Sequence, residues 1–229
     1  MAWRRVVNGL ATPLATLAAI QQSYTVLLEP AHVKVKEPFT GVEFDRRRDI
    51  LQPEAKGDYH LLATAVRCML GQCKFAKARA YAIGLYATDV DEGLWKADED
   101  ARYQALLSMH SSRNLILVVD QDVGGHHIAK GFDRSLLPRI RKAQGGKAGP
   151  GKDALREFTR CFSKERKLHK GTEIFLVWRP DDTLVVMIDS RICGEIQSSI
   201  LCQALFDMYL GPDSIFKKYR NMSFTFHKP

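Results

Sequence analysis

Apolar and polar residues alternate along much of the chain, with the two-residue period of a β-strand. Residues 37–44 (EPFTGVEF), 60–70 (HLLATAVRCML) and 73–89 (CKFAKARAYAIGLYATD) follow this pattern and predict three strands. The run Leu115–Val119 predicts a fourth strand, because it is short, apolar and rich in β-branched residues. Residues 172–191 (TEIFLVWRPDDTLVVMIDSR) predict a hairpin with a turn at its Pro-Asp-Asp sequence.

Helical spacing of apolar residues appears between and after these strands. The predicted helices are two short ones within residues 89–109, then Gly125–Ala143, Lys152–Phe162 and Gly194–Leu210. The glycine-rich residues 145–151 (GGKAGPG) join two of these helices, so we do not interpret them as a domain boundary. Antiparallel strands with helices gathered on one face predict an α+β layer architecture, in a single domain over residues 29–229.

One predicted strand carries a row of small residues on one face. A row of this kind lets another layer approach closely, and the sequence predicts a helix packed against it. The row consists of Ala76, Ala78, Ala80, Ala82 and Gly84.

Residues 1–28 contain no acidic residue, but they include Arg4, Arg5 and an apolar-rich stretch. This composition is typical of a mitochondrial presequence, although Pro13 interrupts the stretch. A short amphipathic helix at a membrane surface and an ordinary packing helix are the alternatives. We therefore expect a mitochondrial or other organellar location, otherwise a cytoplasmic one, with peripheral membrane contact through the N-terminus as one role of this segment.

The net charge of +8 raises the question of nucleic-acid binding. The basic clusters, residues 46–48, 139–147 and 164–170, lack the interleaved aromatic residues that stack on bases, so we predict no nucleic-acid partner. No apolar run reaches the roughly 18 residues of a membrane-spanning helix.

Cysteine and histidine patterns give little sign of metal or disulfide chemistry. The five cysteines are odd in number and form no CxxC pair, which predicts thiols in a reducing compartment rather than a disulfide framework. His126 and His127 have no partners at zinc-like spacing. The sequence predicts no metal site and no cofactor.

Arg67 interrupts the apolar strand at residues 60–70, where a guanidinium without a partner would cost several kcal/mol. Its partner is either an internal carboxylate, such as Asp120 or Asp189, or the acid group of a ligand. A tight turn at residues 71–72 would place Arg67 roughly 17 Å from Tyr81. A wider loop would make Arg67 and Tyr81 direct neighbours across two strands, so that both could hold one carboxylate.

The segment VRCMLGQCKFAKARAYAIGLYATD resembles the central hairpin of the chalcone isomerase family. EPFTGVEF resembles the family's opening strand, LILVVDQDVGGHHIAKGFDRSL resembles a strand and helix that line its cleft, and KGTEIFLVWRPDDTLVVMI with GEIQSSILCQALFDMYLG resembles its closing hairpin and helix. The resemblance covers about residues 33–219. It implies an open-faced β-sandwich, in which a large antiparallel sheet is covered by helices and the ligand cleft lies between them.

The resemblance also implies positions for the site. Arg67 matches the catalytic arginine, and Tyr81 stands where the isomerases have threonine. His127 and Arg134 match a tyrosine and an asparagine, and Cys202 matches a serine or threonine. Because the arginine alone is retained, the sequence argues against cyclisation of a flavonoid precursor.

An arginine with a tyrosine in a YAxGxY run instead resembles the non-catalytic, fatty-acid-binding members of the family, which favours the wider loop. The leading hypothesis is a protein that binds fatty acids or similar amphipathic carboxylates through Arg67 and Tyr81. One alternative is an isomerase or intramolecular lyase acting on an unsaturated or phenolic substrate, with His127 as its acid–base group. Another is binding of a different amphipathic acid, such as haem through its propionate.

Overall fold

The structure is a computed structural model that describes residues 33–50, 53–68, 73, 75, 78–146, 149–216 and 223–228. The predicted targeting or amphipathic segment, residues 1–28, lies outside the described residues. Among the helices of the described ranges, none is long and apolar enough to cross a membrane.

The described residues form ten β-strands and five α-helices. The strands are β1 (Lys34–Lys36), β2 (Glu43–Asp45), β3 (Arg47–Ile50), β4 (Gly57–Cys68), β5 (Arg79–Ala87), β6 (Arg113–Val119), β7 (Glu173–Trp178), β8 (Thr183–Ile188), β9 (Arg191–Gln197) and β10 (Thr225–Phe226). The helices are α1 (Gly93–Lys96), α2 (Glu99–Ser108), α3 (Gly125–Ala143), α4 (Pro150–Ser163) and α5 (Ser199–Leu210), with a short 3₁₀ turn at Pro53–Ala55.

A large antiparallel sheet organises the fold. Its strand order is β10-β4-β5-β6-β7-β8-β9. Strand β3 pairs with the first four residues of β4, 57–60. Strands β1 and β2 form a separate two-stranded hairpin. Strands β4 to β8 lie side by side in the sheet in the order in which they occur along the chain. Helices α1 to α4 are inserted between some of these strands and do not change that order. The predicted α+β fold, an antiparallel sheet with a helical layer, is confirmed.

The main core lies between one face of the sheet and the helices. Phe132 of α3 meets Phe158 and Phe162 of α4, with ring centroids 5.0–5.2 Å apart. Trp178 of β7 packs against Phe206 of α5 at 5.3 Å. Each of these buried side chains stabilises the fold by about 1.5–3 kcal/mol through its transfer from water.

The opposite face of the sheet contacts the β1–β2 hairpin, and here one prediction is wrong. Two residues of the small row, Ala82 and Gly84 of β5, face Phe44 of β2 rather than a helix, while Ala76 lies outside the described residues. A Cβ atom added to Gly84 would lie 2.7 Å from Cδ1 of Phe44, which shows how closely the phenyl ring approaches. The helices instead pack on the other face of β5, which carries Tyr81, Ile83 and Leu85.

The predicted helix Gly194–Leu210 begins later than expected. Residues 194–197 belong to strand β9, where Gly194 pairs with Val186 and Ile196 with Leu184. The Ser198 hydroxyl accepts a hydrogen bond from the Leu201 backbone nitrogen at 3.2 Å, which fixes the start of α5. Pairing with β8 therefore outweighs the helical spacing of these four residues.

Candidate functional site

Arg67 and Tyr81 are direct partners across strands β4 and β5. This register is the one predicted from a wider loop, and a tight turn at residues 71–72 would not produce it. A bulge between Arg67 and Cys68 interrupts the ladder immediately beyond the pair. Bulges of this kind bend a strand and redirect its side chains.

A disulfide joins Cys68 to Cys73 just beyond the arginine, with the two Cα atoms 5.3 Å apart. The sequence argued against a disulfide framework and did not predict this bond. The spacing of the two residues is not diagnostic in the sequence, since the chain must first turn back after β4 to bring them together. The Arg79 guanidinium also donates a hydrogen bond to the Cys73 carbonyl at 2.9 Å. These two links hold the end of β4 beside the start of β5.

The two carboxylates considered as internal partners of Arg67 have other contacts. Asp120 lies 3.0 Å from the Lys170 ammonium group. Asp189 accepts a hydrogen bond from the Glu173 backbone nitrogen at 3.0 Å.

Tyr81 forms a phenol pair with Tyr209 of α5, with the two hydroxyl oxygens 3.0 Å apart. Burial raises the pKa of Tyr81, although the nearby charge of Arg67 lowers it in part. Burial also raises the pKa of Tyr209 well above its ordinary value, and the contact with Tyr81 adds to this effect. Both phenols are therefore neutral at physiological pH. Whichever hydroxyl donates within the pair, the proton of the other is available to a third acceptor.

Arg67 and Tyr81 line a cavity of about 300 Å³ between the sheet and the helices, which we call the inner cavity. His127 and Arg134 of α3 line it as well. Its apolar lining side chains are Ala80, Val123, Ile128, Phe132, Met208 and Ile215. A few polar groups beside a mainly apolar wall are the usual composition of a small-molecule site.

The start of α3 positions His127. A Cβ atom at Gly125 would lie 2.1 Å from the Phe162 carbonyl oxygen, so glycine allows α3 to begin against the end of α4. The imidazoles of His126 and His127 then lie against each other, with their centroids 3.8 Å apart and their planes tilted by 39°. His127 is thereby held at the wall of the inner cavity.

A second cavity of about 770 Å³, the outer cavity, adjoins the first. The residues that line both cavities are Arg67, Gly131, Arg134, Ser135 and Ile215. The outer cavity extends along the second half of α3 to the segment that follows α5, and its additional lining includes Arg139, Lys142, Asp207 and Asp213.

The family model described as chalcone isomerase like matches residues 96–224, which is more than half of the chain. The chain belongs to the chalcone isomerase-like family. Two Arabidopsis thaliana relatives are fatty-acid-binding protein 1, 28% identical over 41% of this chain and 32% of the relative, and fatty-acid-binding protein 2, 28% identical over 76% of this chain and 46% of the relative. The chain thus spans less than half the length of either relative.

A crystal structure of Arabidopsis thaliana fatty-acid-binding protein 1 has the same fold. It superposes with a TM-score of 0.62 at 21% identity, over 82% of this chain and 94% of the solved one. The open-faced sheet with its helical layer is therefore the fold of both proteins.

Not every position suggested by the chalcone isomerase-like resemblance meets at the cavity. Arg67, Tyr81, His127 and Arg134 line it together, but Cys202 lies elsewhere in the core. The Cys202 thiol donates to the Asp182 carbonyl at 3.5 Å, and burial raises its pKa strongly. Sequence reasoning missed Tyr209, which lies two helical turns after Cys202 on α5. No clear sign in the sequence indicated that Tyr209 pairs with Tyr81. Most residues of α5 are buried, so the pattern of apolar residues does not single out one face of this helix.

Proposed function

We propose that this chalcone isomerase-like protein binds fatty acids without catalysing a reaction on them. The observation that carries the proposal is the direct pairing of Arg67 with Tyr81 at the wall of a largely apolar cavity. The names of the two Arabidopsis thaliana relatives support the same class of ligand.

In this proposal Arg67 binds the carboxylate and the phenol pair completes its coordination. A guanidinium can donate two parallel hydrogen bonds to one carboxylate. Neutral phenols donate a further hydrogen bond and do not repel the ligand's negative charge. The elevated pKa values of Tyr81 and Tyr209 therefore suit an acceptor that is an anion.

The acyl chain supplies most of the affinity, because each buried methylene contributes about 0.8 kcal/mol. A charge-assisted hydrogen bond adds about 1.5–3 kcal/mol. The polar groups mainly determine which end of the ligand lies at Arg67, while Phe132, Met208 and Ile215 surround the chain.

The first prediction concerns the carboxylate contact. We expect Arg67→Ala to weaken dodecanoate binding by about tenfold to a hundredfold, through loss of the charge-assisted hydrogen bonds. Isothermal titration calorimetry measures the affinity, and native mass spectrometry of the purified protein detects co-purified fatty acid.

Arg141→Ala is the matched control, because Arg141 is an exposed arginine of α3 that lines neither cavity. It removes the same charge and should retain wild-type affinity. A wild-type protein that takes up no fatty acid, or an Arg67→Ala variant that binds as well as the control, would contradict the proposal.

A further inference from the structure

The outer cavity contains more positive charge than the carboxylate of a fatty acid can neutralise. Four basic and two acidic side chains line it, so four minus two leaves an excess of two positive charges. They are Arg67, Arg134, Arg139 and Lys142, with Asp207 and Asp213. A single carboxylate at Arg67 would leave part of this excess uncompensated.

One of these cations already has a structural role. The Arg139 Nε atom lies 3.0 Å from the Asp207 carboxylate, and the same guanidinium donates to the carbonyls of Ser135, at 2.8 Å, and Asp213. These contacts join α3 to the end of α5 and to the segment after it. Arg139 and Asp207 therefore form a neutral wall of the outer cavity rather than a ligand site.

Two of the remaining cations are available for a ligand. Arg134 and Lys142 both lie on the face of α3 that lines the outer cavity, about two helical turns apart. Both residues are exposed, and neither forms an ion pair with a carboxylate of the described residues. Asp213 is the opposing charge at this wall, and Arg67 lies where the two cavities meet.

We propose that the preferred ligand is an acyl chain esterified to a phosphate-bearing head group, that is, a monoacyl phospholipid with a terminal phosphate. This inference rests on the proposed fatty-acid function, because it assigns the acyl chain to the same inner cavity. The ester carbonyl accepts hydrogen bonds from Arg67 and Tyr81, and the phosphate lies in the outer cavity near Arg134 and Lys142. A phosphate monoester carries a charge of about −1.5 to −2 at neutral pH, which matches the excess of two.

The test compares four compounds that share one chain or one head group. They are dodecanoate, the neutral monododecanoyl glycerol, monododecanoyl glycerol 3-phosphate and glycerol 3-phosphate without a chain. Calorimetry below the critical micelle concentration and near physiological salt measures each affinity. We expect the phospholipid to bind about tenfold more tightly than dodecanoate, and glycerol 3-phosphate to bind far more weakly than either.

A pair of charge reversals on one helix separates the phosphate contact from general electrostatics. Lys142→Glu should weaken phospholipid binding by about three- to tenfold and change dodecanoate binding by less than about twofold. Arg141→Glu reverses the adjacent charge, which lines neither cavity, and should change both affinities by less than about twofold. Both variants affect the charge at the C-terminal end of α3 equally.

The outcomes distinguish this inference from the proposed function. Dodecanoate binding that depends on Arg67, without a gain from phosphate or an effect of Lys142→Glu, would overturn the phosphate site and leave the fatty-acid function intact. Tight binding of glycerol 3-phosphate alone would indicate a small phosphate metabolite and would also overturn the lipid assignment. Failure of the wild type to bind any acyl compound would overturn both.

Discussion

Two arginines of the central sheet differ in how far they are removed from water, since Arg113 is buried and Arg67 is half-buried. Arg113 of β6 is 2% exposed, stacks on Trp178 with its guanidinium carbon 3.6 Å from the ring centroid, and donates to the carbonyls of Leu106 and Met109 at the end of α2. Its role is to cap that helix inside the core. A buried guanidinium is therefore not sufficient evidence of a ligand, and the case for Arg67 depends on its cavity and on its tyrosine neighbour.

The phenol pair provides a prediction at the same scale. We expect Tyr81→Phe to weaken dodecanoate binding by about fivefold to twentyfold, because it removes a donor to the carboxylate and leaves the Tyr209 hydroxyl without its partner. Calorimetry measures the change in affinity.

Tyr103→Phe is a suitable control for this change. Its hydroxyl donates to Glu99 at 2.8 Å, outside both cavities, so the variant loses a phenol hydrogen bond without altering the site. Equal affinities of the two variants for dodecanoate would argue against a role for Tyr81 in binding the carboxylate.

At the scale of elements, the close contact between β5 and Phe44 predicts sensitivity to a single methyl group. Gly84→Ala should destabilise the protein by about 1–3 kcal/mol, because the added Cβ would lie 2.7 Å from both Phe44 and Tyr86. Urea unfolding followed by circular dichroism measures the difference in the free energy of unfolding.

Gly131→Ala makes the same chemical change on α3, where nothing lies within 4 Å of the new Cβ atom. It should raise the free energy of unfolding by up to about 1 kcal/mol, since alanine favours a helix over glycine. A Gly84→Ala variant as stable as the wild type would mean that the β1–β2 hairpin does not pack tightly on the sheet.

Patterns of neighbouring residues predicted strands β4 to β8 of the central sheet. The contacts between elements that are distant in the sequence could not be predicted from such patterns. The two-residue period predicted β4 and β5, a short apolar run rich in β-branched residues predicted β6, and a hairpin with a Pro-Asp-Asp turn predicted β7 and β8. The Arg67–Tyr81 register followed from the family resemblance. The pattern could not decide what covers the small face of β5, because a helix and a phenylalanine from a distant hairpin fit it equally well. It also missed Tyr209, because that residue reaches the site only after α5 packs on the sheet.

At the scale of the whole molecule, several buried tyrosine and cysteine side chains have pKa values above their ordinary range. Burial raises the pKa values of Tyr81, Tyr86 and Tyr209, and it raises the pKa of the Cys161 thiol to about 11. In each case the folded protein retains its proton where the unfolded chain has lost it. The stability from these groups is complete below the unfolded pKa values, about 8.5 for cysteine and about 10 for tyrosine, and decreases as the pH rises above them.

We therefore expect the free energy of unfolding to fall by more than about 1 kcal/mol between about pH 8 and about pH 11. Arg113, whose pKa burial lowers to about 10, acts in the opposite direction, but these four groups and the buried Cys202 thiol outnumber it. Urea midpoints across this range measure the change. A midpoint that stays constant or rises would contradict the prediction, and tyrosinate absorbance should appear together with unfolding.

The size of the inner cavity has one more consequence. At about 300 Å³ it is at the lower end of the range for small-molecule sites. In the proposed binding mode, with the acid group at Arg67, each added carbon of the ligand occupies more of this space until the cavity is filled. Beyond that length an added carbon must fold back or displace a side chain, so it no longer contributes its share of binding energy. In that binding mode the volume of the inner cavity thus limits the length of the hydrocarbon chain that is bound.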